Sequence, residues 1–134
     1  MHVLVVEDDQ KLADLLRRGL RQDGLLVDVA TDGEAALSVA AAVRYDAIVL
    51  DLVLPGIGGL ETCGLLRQRA VTTPVLILSA RAGAAYRIAA LEAGADDYVT
   101  KPFDFDDLAA RLRVLARRSS QAHSPLARSD ATAT

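Results

Sequence analysis

Apolar runs recur along the chain, each closed by a polar or charged residue, with segments between them in which leucine or alanine returns at helical spacing. The first is His2-Val3-Leu4-Val5-Val6, closed by Glu7-Asp8-Asp9. A run this apolar, without alternation, is the mark of a strand buried on both faces, as in parallel sheets. Leu12, Leu15, Leu16 and Leu20 then share one stripe, with Arg17, Arg18 and Arg21 off it, and predict a helix over Lys11–Gln22 that stops at Asp23-Gly24. Leu25–Ala30 reads as a short strand. Thr31 and Glu34 have the spacing of a capping box ahead of an alanine-rich helix, Ala35–Val43. Ala47-Ile48-Val49-Leu50 ends in Asp51 and a Pro55-Gly56 turn. Leu60, Leu65 and Leu66 mark a third helix that fades near Arg69. Pro74 introduces the strand Val75–Ser79, a weak helix spans Ala84–Glu92 before Gly94, and Asp96–Thr100 is a short strand running into Lys101-Pro102. The last helix has Asp104 as cap, Phe103 and Leu108 at the spacing of a hydrophobic staple, and Leu112, Leu115 and Ala116 along an apolar face to about Arg118.

Strands alternating with helices predict an α/β fold with a parallel sheet covered on both faces. Right-handed crossovers leave few topologies, and the expected one is the flavodoxin-like doubly wound sheet of five strands in order 2-1-3-4-5, with five helices. Such sheets bind ligands in the crevice beyond the carboxyl ends of their strands. Glu7 and Asp8, Asp51, Ser79 and Lys101 all stand at or just past such ends, so the topology directs them to one crevice.

Composition narrows the function without choosing it. A chain of 134 residues with 51% hydrophobic residues has material for one core, and 25% charged residues with a net charge of -3 do not make a nucleic-acid-binding surface. The apolar runs are too short for a membrane span and there is no secretory leader, so no membrane association is expected and the location is read as cytoplasmic. Cys63, the single cysteine, has no partner at metal-ligand spacing and reads as helix packing. From Ser119 the apolar periodicity stops, dividing the chain into a domain over 1–118 and a disordered tail or truncated interdomain linker over 119–134.

Clustered carboxylates repel one another and resist desolvation, so an acidic crevice calls for a cation. An oxygen-only donor set points to a hard ion, Mg²⁺, whose remaining positions suit water and phosphate oxygens. A carboxylate can itself be the nucleophile in phosphoryl transfer, giving an aspartyl phosphate, with the Lys101 ammonium and the Ser79 hydroxyl placed to hold phosphoryl oxygens. Each residue alone has an ordinary reading: Lys101 as a surface lysine, Ser79 as a strand-end hydroxyl, Glu7-Asp8-Asp9 as an acidic helix start. Their joint occurrence at separate strand ends is what carries weight.

Val5-Val6-Glu7-Asp8-Asp9, Asp51-Leu52-Val53-Leu54-Pro55-Gly56, Ser79-Ala80-Arg81, Gly94-Ala95-Asp96-Asp97-Tyr98 and Lys101-Pro102-Phe103 together resemble the receiver domain of bacterial two-component response regulators. The resemblance implies that Asp51 is the phosphoacceptor for a sensor histidine kinase, and that Glu7 and Asp8 form the acidic pair. It implies that Asp8, Asp51 and the backbone carbonyl of Val53 ligate Mg²⁺, and that Lys101 contacts the phosphoryl group across a cis Lys101–Pro102 bond. Ser79 and Tyr98 would form a switch pair. The family's weak self-phosphorylation and self-dephosphorylation make it a signalling domain rather than an enzyme.

Ala-Asp-Asp-Tyr, Lys-Pro-Phe and the late Leu-Ala-Ala-Arg most resemble the receivers of winged-helix transcription regulators, OmpR/PhoB-type proteins that dimerise through helix four, strand five and helix five. That implies a homodimer with Arg87–Asp107, Asp97–Arg111 and Asp96–Arg118 pairs across a twofold, and DNA contact only through a domain outside this chain. Asp107 and Arg111 also have the spacing of an intrahelical pair. Gly58, Tyr86 and Ala90 depart from the family's pattern, leaving the phosphorylation site intact and altering the switch face. The alternatives are a stand-alone receiver acting through protein contacts and a Mg²⁺-dependent aspartyl-phosphate phosphatase. The phosphatase would need a second acid where the chain has Val53. A flavin module of similar fold would need a phosphate loop after strand one, where the chain has acids.

Overall fold

In the computed structural model, which describes residues 1–122, the elements alternate strictly: β1 (His2–Val6), α1 (Gln10–Gln22), β2 (Leu26–Ala30), α2 (Gly33–Ala42), β3 (Ala47–Asp51), α3 (Gly59–Gln68), β4 (Val75–Ser79), α4 (Ala84–Glu92), β5 (Asp97–Thr100) and α5 (Phe105–Ala122). All pairings are parallel and the strand order is β2-β1-β3-β4-β5, the expected doubly wound topology. β1 and β3 lie side by side with Val6 opposite Leu50, so Glu7 and Asp51, the next residue of each, leave the sheet at the same edge.

The pleat divides each central strand between two cores. Leu4, Val6, Ile48, Leu50 and Ile77 face α2 and α3 with Leu37, Cys63 and Leu66. Val3, Val5, Val49, Leu76 and Leu78 face α1 and α5 with Leu16, Leu20, Leu108 and Leu112. Burying each such side chain is worth about 1.5–3 kcal/mol, so β3 and β4, buried at every position, are the rigid centre of the molecule. Cys63 is fully buried in the first core, as packing requires.

Helix starts show where local pattern misleads. Asp32, not Thr31, caps α2, accepting from the Ala35 N–H at 2.7 Å, so the helix begins two residues before the expected Ala35 and the Thr31–Glu34 capping box does not form. Asp104 caps α5 as expected, accepting from the N–H groups of Asp106 and Asp107. α5 then runs to Ala122, past the expected end at Arg118, because Ser119 still turns onto the buried face after Leu115 and Ala116. The boundary placed at 118/119 therefore falls inside a helix, and the rest of the expected tail, 123–134, lies outside the described residues. Gly59 lets α3 start against the end of β3: a Cβ there would stand 2.2 Å from the Asp51 carbonyl oxygen, a backbone atom that cannot give way.

Candidate functional site

The last residue of a strand, Asp51 of β3 and Ser79 of β4, or the residue just after it, Glu7 after β1 and Lys101 after β5, contributes each group at the carboxyl edge of the sheet. Glu7 is held by its own N–H donating to the Ala30 carbonyl at 3.0 Å, which continues the β1–β2 ladder, and is 2% exposed. Asp51 is 8% exposed, and its Oδ1 accepts the Val53 N–H at 3.1 Å, a short loop closure that fixes the carboxylate. Asp8 is exposed. One oxygen from each of Glu7, Asp8 and Asp51 can be chosen so that all lie within 4.8 Å of one another. Lys101 enters from the opposite side, its N–H bonded to the Ser79 carbonyl at 2.7 Å and its Nζ donating to Glu7 Oε1 at 3.2 Å and Asp51 Oδ2 at 3.3 Å. The Lys101–Pro102 peptide bond is cis.

Electrostatics follow from this crowding. Burial, then hydrogen bonding to and repulsion from Asp51, push the Glu7 carboxyl up to about 7, against the Asp9 N–H and the Lys101 charge, which pull it down. Burial alone would depress the Lys101 ammonium, but the charges of Asp51 and Glu7 outweigh it and push the group up, so it stays cationic. One ammonium facing three carboxylates leaves an excess of negative charge in a half-buried pocket of hard oxygen donors. That donor set fits a small divalent cation of the Mg²⁺ type.

The third acid of the run has a different task. Asp9 caps α1, its Oδ1 accepting from the N–H groups of Lys11 and Leu12 at 3.0 and 3.3 Å, while its own N–H donates to Glu7 Oε2 at 3.2 Å. Val53 is 58% exposed, and its N–H is the group that Asp51 Oδ1 accepts. Ser79 is buried at the end of β4, its Oγ accepting the Arg81 N–H at 3.0 Å. Tyr98, in β5, is turned inward at 6% exposed, and its hydroxyl donates to the Arg81 carbonyl at 2.5 Å. Ser79 and Tyr98 thus hold the two sides of one loop residue.

Five of the six residues expected on the dimer face, all but Arg118, are engaged within the single chain. Arg111 donates to Asp107 at 3.0 Å, the intrahelical alternative, and also to Asp97 at 3.1 Å. Arg87 lies over the Tyr98 ring, 5.8 Å from its centroid. Asp96 Oδ2 accepts from Arg67 at 3.0 Å and from the Val75 N–H at 2.9 Å. Arg118 is exposed beside a recess that Asp96, Asp97 and Arg111 also line. Sequence reasoning missed Arg67, which also donates to the carbonyls of Val71, Thr73 and Gly94 and so ties the α3–β4 loop to the α4–β5 loop. An arginine in the last turn of a fading helix gives no signal for that role. It also missed Ile88 and Leu91, apolar side chains on α4 that are 53 and 57% exposed and lie on the same helix as Tyr86, itself a departure from the family's pattern. A helix with apolar residues on both sides would have raised the question.

Fold and site define a doubly wound α/β domain with an acidic, lysine-faced pocket at the carboxyl edge of its sheet. The chain belongs to the response regulator receiver domain family, whose pattern it matches over residues 3–113. It is 52% identical over 118 residues to the transcriptional regulatory protein TcrA of Mycobacterium tuberculosis, covering 88% of this chain and 47% of TcrA. Among solved structures it superposes on the receiver domain of the Francisella response regulator 1452 with a TM-score of 0.85 and 38% identity, covering 88% of this chain and 98% of that one. It superposes on the BeF₃-activated N-terminal receiver domain of Klebsiella pneumoniae RstA with a TM-score of 0.83 and 32% identity, over 87% and 99% of the two chains. The chain spans about half the length of the curated relatives it matches. Among the described residues, no helix is long and apolar enough to cross a membrane.

Proposed function

We propose that this chain is a phosphorylation-driven switch in which Asp51 accepts a phosphoryl group from a sensor histidine kinase. The observation that carries the reading is the placement of Asp51: a nearly buried carboxylate at the end of the central strand, with Lys101 at 3.3 Å and two further acids around it. An oxygen of Asp51 attacks the phosphorus of a phosphohistidine, the P–N bond breaks, and the electron pair returns to the histidine nitrogen, leaving an acyl phosphate. Lys101 neutralises a phosphoryl oxygen, and the Ser79 hydroxyl leaves the Arg81 N–H to donate to another. Glu7, Asp8, Asp51 and the Val53 carbonyl would hold Mg²⁺, which supplies charge neutralisation to the phosphoryl oxygens when bound.

The new charge biases the surface formed by α4, β5 and α5 toward self-association. The exposed Ile88 and Leu91 support this, since apolar side chains on a helix of a small domain are stabilised by being covered. Arg87, Asp96, Asp97, Asp107 and Arg111 would then exchange their intrachain contacts for the pairs Arg87–Asp107, Asp97–Arg111 and Asp96–Arg118 with a second copy, and the exposed Arg118 would gain a partner. Similarity to a transcriptional regulatory protein supports an output through a DNA-binding domain outside this chain, of the winged-helix type. The protein is cytoplasmic in this reading, and its own chemistry stops at taking up and losing a phosphoryl group. A phosphatase is disfavoured because Val53, two residues after Asp51, offers no proton-transfer group.

Incubation with acetyl phosphate tests the metal requirement. The intact chain should gain one phosphoryl group in the presence of Mg²⁺ and none when the cation is chelated. Equal gain in both conditions would sink the assignment of the acidic pocket.

A further inference from the structure

The loop between β4 and α4 has a side-chain contact that neither the phosphorylation chemistry nor the dimer face uses. Arg81, whose N–H and carbonyl are held by Ser79 and Tyr98, extends its guanidinium over the ring of Tyr86, 5.7 Å from the centroid, with Nη1 donating to the Tyr86 hydroxyl at 3.3 Å. Tyr86 lies in the first turn of α4, and that helix is otherwise lightly attached. Ala90 is its one buried residue, and Gly83 before it makes no side-chain cap. A second contact of the same kind returns from the helix, Arg87 over the Tyr98 ring.

We propose that Arg81 is a positioning residue that latches α4 to the switch pair through Tyr86. Its peptide is fixed by Ser79 on one side and Tyr98 on the other, so a movement of either hydroxyl displaces the Arg81 backbone. The guanidinium then carries that displacement to the start of α4, where apolar packing is too sparse to hold the helix against it. The device depends on an aromatic ring at position 86, which offers the cation a π face as well as a hydroxyl. The inference rests on the reading of Asp51 as phosphoacceptor, because that event is what moves Ser79.

Hydrogen–deuterium exchange of the 134-residue chain, with and without Mg²⁺ and beryllofluoride, tests it. The variants are Tyr86→Leu, Arg81→Gln, the pair together and Tyr86→Phe. In the native chain both the loop 52–58 and α4 should change exchange on adding beryllofluoride. Tyr86→Leu should leave the loop response intact and cut the α4 response by about two- to fivefold, the scale of an exposed cation–π contact. The double variant should be no worse than either single one, since both remove the same contact, and Tyr86→Phe should retain most of the native response. An α4 response in Tyr86→Leu equal to the native one, or strictly additive single effects, overturns the latch. A native loop 52–58 that ignores beryllofluoride overturns the reading of Asp51 instead, and a responding loop with an indifferent native α4 overturns the latch alone.

Discussion

Glu7 and Asp51 are successive answers to one problem, two carboxylates brought to one place by adjacent strands with a single lysine between them. A carboxyl that titrates near 4.5 in the unfolded chain and near 7 in the fold leaves the native state holding a proton that the unfolded state has released. Stability must then fall as pH rises between those values, by roughly 3 kcal/mol across the window. In the absence of divalent cations, urea midpoints of the native chain should decline from pH 5 to pH 8 while Glu7→Gln stays nearly level. Parallel curves would contradict the assigned crowding. Added Mg²⁺ should recover the lost stability at pH 8, because a cation in the pocket offsets the repulsion. The positions of Glu7, Asp51 and Lys101 were legible in the sequence because each directly follows or ends an apolar run, and a strand end is a place that pattern alone can fix. The role of Asp9 as the cap of α1 was not, since the residue before it is also an aspartate and spacing does not say which of the two starts the helix.

At the scale of elements that division becomes measurable. Asp9→Ala should lower stability by about 1 kcal/mol through loss of the α1 cap and leave Mg²⁺ affinity unchanged, whereas Asp8→Asn should do the reverse. Calorimetric titration of Mg²⁺ alongside denaturant unfolding separates the two, and a shared phenotype would show that the acids act as one cluster. The order of the strands and the two-sided burial of β3 and β4 were predictable because unbroken apolar runs with helices between them admit few arrangements. Helix ends were less so. Thr31 and Glu34 matched a capping box by spacing, yet the Asp32 carboxylate, one residue nearer, reaches the Ala35 N–H. Ser119 looked like the start of a polar tail but falls on the buried face of α5, a consequence of helical phase that composition does not register. Arg67 was invisible for a third reason: apart from Asp96 its partners are backbone carbonyls, in the loop after its own helix and in the α4–β5 loop, and carbonyls carry no sequence identity.

For the whole molecule, the α4 side has an apolar strip with no cover among the described residues, flanked by charges whose intrachain pairs are exposed. Exposed pairs of this kind are worth a few tenths of a kcal/mol, so exchanging them for intersubunit pairs costs little and the apolar contact decides association. Sedimentation of the native chain should show a shift from monomer toward dimer on addition of Mg²⁺ and beryllofluoride. Ile88→Asp should abolish that shift while leaving phosphoryl uptake at Asp51 intact. A native chain that stays monomeric would remove the dimer from the account without touching the phosphorylation site. The proposed chemistry is local, with a carboxylate oxygen of Asp51 as the acceptor. Its most direct test is the intact mass of the native chain and of Asp51→Asn after incubation with acetyl phosphate and Mg²⁺. One added phosphoryl group is expected on the native chain and none on the variant; equal labelling of the two, or labelling of neither, would rule Asp51 out as the acceptor.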